Sequence, residues 1–456
     1  MGLAVASAWT LPEASAAGTT SYLRDSVPDR WEIEIGPSSA STGGEKWWRA
    51  LGDATLDSLM DVALANNYDV LAAAKRIKAA EQMSRATKAG YYPTLDIAAG
   101  YSRQRMAGAI SGRNVPSSTE SYFSLGLSMN WEIDVFGRIY AQLKSDKANY
   151  RATVAEYDAA MVSLVSNLAK AYFSYRLAQA QLQIAENNVK VSEELLHLAK
   201  TRYDVGLNPQ VDYVQAQMSL NQTKATIPSL KADIATYLNQ IATLTGVYPD
   251  RLTNLSAFRA LPEGFMPTVA EDPAAVIRRR PDVAEAEQEL AMAAAKVGIA
   301  RKDFLPSLSV SAGVGTEARD LRDLFGRNSL YYSVMPTLSW TLFDGMARDA
   351  QLAEARYDFE AQIESYNLTV MTAVEEVNNA MVSWQSVTEQ LAFDRMILNE
   401  AKRVLELQVD RYRNGLNDFN DVAEAQEDVL NYENNVASSE AAQLAALVTL
   451  YTALGI

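Results

Sequence analysis

The chain repeats itself once, and whatever one half builds the other must build in a related way. At an offset of 209 residues, Arg202-Tyr203-Asp204-Val205-Gly206-Leu207-Asn208 aligns with Arg411-Tyr412-Arg413-Asn414-Gly415-Leu416-Asn417, identical at five of seven positions. The same offset pairs Asp212 with Asp421, Gln217 with Gln426, Trp131 with Trp340 and Gly246 with Gly455, while Tyr92-Pro93-Thr94-Leu95 answers Leu305-Pro306-Ser307-Leu308 a few residues out of step. A unit this long is a duplicated domain, not one element of a solenoid of short repeats.

Each half opens with two runs of period-two alternation, the mark of strands with unlike faces. In the clearest, Phe123, Leu125, Leu127, Met129, Trp131, Ile133 and Val135 share one face, while Tyr122, Ser124, Gly126, Ser128, Asn130, Glu132 and Asp134 share the other. Leu95, Ile97, Ala99 and Tyr101 form a weaker run. In the second half, Leu308, Val310, Ala312 and Val314 alternate with small polar residues, as do Tyr332, Val334, Leu338, Trp340 and Leu342. Pro336 interrupts the last run and is expected at a bulge or strand end, since proline gives no ladder hydrogen bond.

A soluble sandwich strand alternates too, but these runs reach the roughly 9 to 11 residues that a tilted strand needs to cross a bilayer. They come as two hairpins, each with a long polar loop, 106–121 and 316–329. Four strands do not close a barrel, and an open edge in hydrocarbon leaves backbone groups unsatisfied. The chain is therefore expected to oligomerise. Two copies would give a barrel of about eight strands filled by side chains, whereas three would give about twelve and leave a lumen.

Between and after the hairpins the pattern is helical. Leu164, Leu168, Ala171, Tyr175, Ala178 and onward to Ala199 and Tyr203 step by four and three, and Ala373, Val377, Ala380, Trp384 and onward to Tyr412 repeat the ladder. A seven-residue period predicts left-handed coiled-coil packing. A continuous helix from Arg138 to Tyr203 would be ~100 Å long, far beyond a bilayer and suited to crossing a periplasm. Gly206 and Gly415 are expected to end these helices as left-handed C-caps. Return helices are expected over 211–245 and 421–454, with Gly246 and Gly455 after them.

Composition narrows the function. The sequence has no cysteine, one histidine (His197) and a net charge of −15. Thiolate chemistry is excluded and histidine chemistry nearly so, while the acidity argues against nucleic acid. No phosphate-cradling loop, nucleophile elbow or metal-spaced histidines occur, so no catalytic residue, metal site or cofactor is assigned, and His197, among Glu193, Glu194 and Lys200, is read as solvated. Residues 1–17 are read as a signal-peptide remnant: Gly2 to Leu11 is apolar and Ala14-Ser15-Ala16 has the small-x-small form of a cleavage site, although a basic n-region is missing.

Together these motifs resemble the TolC-like outer-membrane factors, in particular the branch serving resistance-nodulation-division efflux pumps (NodT-type outer-membrane efflux lipoproteins). The likeness spans about 47–455. It rests on Trp47-Trp48-Arg49-Ala50-Leu51-Gly52-Asp53 with Ala63-Leu64-Ala65-Asn66-Asn67, on Arg279-Arg280-Pro281-Asp282-Val283 through Phe304-Leu305-Pro306-Ser307, and on the twin Arg-Tyr-x-x-Gly-Leu turns. The resemblance implies an α+β membrane protein with long α-helical coiled-coil hairpins plus four transmembrane β-strands per chain, trimerising into a 12-stranded β-barrel on an α-helical barrel. The division expected is 18–50 as an extended N-terminal segment, 51–92 and 247–304 as helices and equatorial region, 93–136 and 305–344 as barrel hairpins, and 137–246 and 345–455 as periplasmic helical hairpins.

The function implied is a passive exit duct for small molecules in the outer membrane of a Gram-negative bacterium, reaching into the periplasm. Its implied partners are two further copies, outer-membrane lipid, a periplasmic adaptor (a membrane fusion protein) and an inner-membrane transporter; an exit channel for type I protein secretion is the alternative. The adaptor would meet the helix turns at Arg202, Tyr203, Gly206, Leu207, Arg411, Gly415 and Leu416. Asp421 and Glu424 would face the pore axis at the periplasmic aperture, and Tyr412 would bond Asp212 across neighbouring coils to hold it closed. Both acids also suit a simpler role, because Asp421-x-x-Glu424 has the form of a capping box, as Asp212-x-x-Gln215 nearly does. A family arginine that helps closure would fall at Asn417, which leaves that latch in question. Many members carry a lipidated cysteine after the signal peptide; the sequence as given has none, and no lipid anchor is expected on it.

Overall fold

A computed structural model describes residues 22–24, 26–31, 33, 46–107, 116–252, 255, 257–262, 267 and 272–456. The signal-peptide reading, most of the N-terminal segment and the tip of the first hairpin loop lie outside the described residues. The elements in chain order are α1 (Ala54–Asn66), α2 (Tyr68–Ala89), β1 (Thr94–Met106), β2 (Ser118–Ile133), α3 (Arg138–Asp204), α4 (Gln210–Thr245), α5 (Pro273–Arg279), α6 (Pro281–Lys302), β3 (Ser307–Ala318), β4 (Leu330–Ser339), α7 (Ala347–Arg413) and α8 (Phe419–Ala453). The chain divides into two compact units. One comprises 1–23, 76–154 and 285–367, and the other 24–75, 155–284 and 368–456.

The first unit holds an antiparallel sheet of order β1-β2-β3-β4. Its register carries the sequence alternation straight across: Leu127 faces Ile97 on one side and Val314 on the other, and Val314 faces Tyr332. One face of the sheet is thus apolar from edge to edge, and it is bare, with Ile97 76% and Tyr332 82% exposed. Near the loop end of that face the Tyr101 and Phe123 rings touch at 4.9 Å between centroids. At the helix end the repeat shows through in detail, since the indole of Trp131 donates to the Tyr91 carbonyl and that of Trp340 to the Phe304 carbonyl, both at 3.0 Å.

Two strand expectations need correction. Pro336 sits inside β4, paired with Val310, with no bulge. β4 is an edge of this chain's sheet, where alternate N–H groups face away from the neighbour and a proline is tolerated. Trp340 and Leu342, counted with that strand on alternation, lie past its end at Ser339.

The second unit is helical. Its core gathers Trp47, Trp48, Leu56 and Met60 with Leu168, Tyr172 and Phe173 of α3 and Leu447 and Tyr451 of α8, and the Trp47 ring stacks on Tyr451 at 4.8 Å. Asp53 caps α1 by accepting from the backbone of Thr55 at 2.9 Å, and it also accepts a short bond from the Tyr172 hydroxyl. The Arg280-Pro281-Asp282 motif ties down the C-terminal helix. Arg280, with a nearly buried side chain, forms a fork with Asp282 at 3.0 and 2.7 Å, bonds Glu376, and donates to the Ala453 carbonyl at 2.9 Å. A planar guanidinium can serve two carboxylates and a helix-end carbonyl together, which an ammonium cannot do with fixed geometry.

Candidate functional site

The site is built from the two helix turns of the second unit. Each long helix ends in a Schellman motif. The N–H of Gly206 bonds the Tyr203 carbonyl at 2.9 Å and that of Leu207 the Arg202 carbonyl at 2.8 Å; Gly415 and Leu416 do the same to Tyr412 and Arg411 at 3.0 and 2.9 Å. This closure needs a residue with positive φ, and Gly206 (+75°) and Gly415 (+71°) supply it. The following residue is then directed outward: Leu207 and Leu416 are 68% and 67% exposed. Arg411 is exposed as well, and Tyr203 is 38% exposed.

Between the turns lies a small buried cluster. Tyr412, fully buried, packs edge-on to Phe419 at 5.6 Å among Leu195, Ala199, Ala216 and Val422. Its hydroxyl points at Asp212, a buried carboxylate, at 3.4 Å, which is a long contact. Asn208 makes the tighter link, donating to the same Asp212 oxygen through a short bond and reaching the Tyr412 hydroxyl at 3.2 Å. Arg202 closes the set: its Nε donates to Asn208 Oδ1 at 2.8 Å, its Nη1 to the Arg413 carbonyl at 2.8 Å, and its guanidinium lies 5.2 Å from the Tyr412 ring centre. Burial, with the Asp212 charge next, pushes the Tyr412 phenol up to about 12, so it stays a neutral donor at physiological pH.

The capping alternative for the acids is corrected by where the helices begin. Pro209 and Asp418 are the N-caps of α4 and α8, neither making a side-chain cap bond, and Asp212 and Asp421 each stand at the third helical residue. Asp421 and Glu424 both lie exposed on α8, between and beside the buried Val422 and Ala425. They add negative charge to the first turns, where the helix dipole favours it, but they cap nothing in the manner of a box.

The repeat breaks its symmetry here. Tyr203, the counterpart of Tyr412, is outside the buried cluster and stacks on Tyr213 at 6.2 Å. Asn417, the counterpart of Asn208, bonds Gln408 on the helix just before it at 2.9 Å instead of a neighbouring hairpin. Val205, Val211, Val214 and Met218, in the first turn and the start of α4, are all more than half exposed, whereas the second half has Asn414, Asn420, Ala423 and Glu427 at those positions. Sequence reasoning reached Tyr412 and Asp212 but not Asn208, although its identity in both aligned turns was a usable sign. Arg202, expected to face an adaptor, spends its polar groups inside the chain, while Tyr203, Leu207, Arg411 and Leu416 remain on the surface.

No constellation for bond chemistry accompanies these residues; among the described residues no group of acids and histidine is arranged to hold a metal ion. The arrangement joins two hairpin ends by a few polar contacts and exposes carboxylates beside them. The outer membrane efflux protein family matches residues 59–247 and 273–456. The pyoverdine export outer membrane protein OpmQ of Pseudomonas aeruginosa is 30% identical over 96% of this chain and 94% of its own. The cation efflux system protein CusC of Escherichia coli O6:H1 is 27% identical over 95% of this chain and 94% of its own. Among solved structures the outer-membrane channel OprN superposes with a TM-score of 0.85 at 29% identity, covering 94% of this chain and 98% of that one. With a family match over both halves and a relative 30% identical along nearly its whole length, the chain belongs to the outer membrane efflux proteins and is an outer-membrane efflux duct of the TolC-like type.

Proposed function

We propose that three copies assemble into the working duct, their sheets closing a barrel of about twelve strands in the outer membrane and their helical hairpins forming a tube below it. The observation that carries this reading is the bare apolar face of the sheet, which covers all four strands and has no partner among the described residues. Hydrocarbon covers such a face without cost, and only closure satisfies the two edges. The helix turns form the periplasmic end. Asp421 and Glu424 ring the aperture there, and Tyr412, Asp212, Asn208 and Arg202 hold it closed. Like charges crowded on the axis repel one another and attract cations.

A periplasmic adaptor and an inner-membrane transporter complete the pump, with Leu207 and Leu416 as the exposed apolar contacts for the adaptor. The named cargoes of the relatives, pyoverdine and cations, differ widely in size and charge, which supports a duct that leaves selection to its partners. The test is the mass of the detergent-solubilised protein together with antibiotic uptake by cells expressing Asp421→Ala/Glu424→Ala. Three copies per particle and raised uptake are expected. A monomer, or uptake equal to wild type, contradicts the reading.

A further inference from the structure

On the polar face of the sheet one cross-strand row reads Ala98, Gly126, Gly315, Tyr331. Three of its four members are the smallest residues available, and the fourth is among the largest. The ring does not stand up from the sheet. A Cβ placed on Gly126, two strands away, would come within 2.7 Å of the Tyr331 hydroxyl, and one on Gly315 within 2.8 Å of it. The tyrosine therefore lies back across both glycines. Its exposure reflects this: Tyr331 is 39% exposed, whereas its neighbour Tyr332, standing on the other face of the same strand, is 82% exposed. Glycine inside a strand marks the close approach of another group, and aromatic cover over a glycine is a known device for holding a barrel strand.

We propose that Tyr331 sets the free width of the barrel lumen near its loop end, and that Gly126 and Gly315 form the seat that keeps its ring against the wall. This rests on the duct reading, in which the polar face lines the lumen. The free width at the narrowest lined level of the barrel governs what enters it from the loop side, and a ring on a strand wall has one direction in which to lift, inward. The two glycines differ in a useful way. At Gly315 an added Cβ would also meet the Leu125 carbonyl oxygen at 2.6 Å, so any side chain there disturbs the sheet itself. At Gly126 the only close atom is the tyrosine hydroxyl, with its Cζ at an ordinary 3.8 Å.

The test uses the purified full-length protein in planar bilayers, with polyethylene glycols of graded size added on the loop side and their exclusion read from the channel current. Gly126→Ala is expected to lower the size cut-off, and Gly126→Ala/Tyr331→Phe, which removes only the clashing oxygen, to restore it. Tyr331→Ala is expected to raise the cut-off above wild type. An unchanged cut-off in both Gly126→Ala and Tyr331→Ala overturns the proposal, as does a lowered one that Tyr331→Phe does not restore. A wild-type protein that carries no current overturns the duct reading itself, and the proposal with it. Folding of each variant is checked by the mass of its oligomer, and Tyr331→Ala, which adds no atom, serves if Gly126→Ala does not assemble.

Discussion

Single side chains hold the two hairpin ends together, and their geometry ranks them. Asn208 makes the short bond to Asp212 and also reaches Tyr412, whose own contact with Asp212 is stretched to 3.4 Å. Asn208→Ala is thus expected to loosen the aperture more than Tyr412→Phe, by about 1–2 kcal/mol of closing free energy, read as the larger rise in single-channel conductance. Equal effects would return the role to the tyrosine. The raised Tyr412 value gives a sign for pH: the neutral phenol's contribution is whole below the ordinary value of 10 and is lost as pH rises through about 12. At Asp282 burial opposes ionisation, but the Arg280 fork outweighs it and holds the carboxyl below its usual 3.8. Its contribution is present above that value and fades as pH falls below it. Arg280→Ala strands Asp282 and Glu376 beside a helix end; with both acids about half exposed, the loss is expected near the low end for a broken buried pair, about 3 kcal/mol, measured as a lower midpoint in thermal unfolding. The links from Arg280 to Glu376 and to the Ala453 carbonyl were not legible in the sequence, because the three residues are distant along the chain and meet only through packing.

At the scale of elements, periodicity carried the reading a long way. The heptad ladder of α3 is buried at Leu164, Leu168, Ala171, Tyr175 and Ala178, and that of α7 at Ala373, Val377, Ala380 and Trp384. A seven-residue repeat is local information, and so is the alternation of β2. The ladder's last members, Tyr203 and Tyr412, are alike in sequence and opposite in fate: the neighbouring hairpin offers Asn208 and Asp212 to Tyr412, whereas Tyr203 stacks on Tyr213 of its own hairpin. Strand ends were less legible, as Trp340 keeps the alternation while its indole is already engaged with the Phe304 carbonyl. The two turns also differ in tolerance. Gly206→Ala meets nothing within 4 Å, whereas Gly415→Ala puts a Cβ 3.3 Å from Arg202 Nη2. Both pay for positive φ, about 1–2 kcal/mol, but only Gly415→Ala is expected to disturb the Arg202–Asn208 link, seen as faster amide exchange at Asn208.

For the whole molecule the governing fact is that, among the described residues of a single chain, a sheet face and two sheet edges are left unmatched. Among the described residues no helix is long and apolar enough to cross a membrane; in the proposed duct it is the apolar face of the strands that meets lipid. In the proposed trimer, closure by copies of the same chain sets how many carboxylates would face the axis at the helix turns. The account stands or falls on whether those turns are the gate of a conducting duct. The direct measurement is single-channel current through the purified protein in a planar bilayer, wild type against Asp421→Ala/Glu424→Ala. Small cation-selective currents that grow and lose their selectivity in the variant are the predicted result; currents identical in size and selectivity in the two proteins would contradict it.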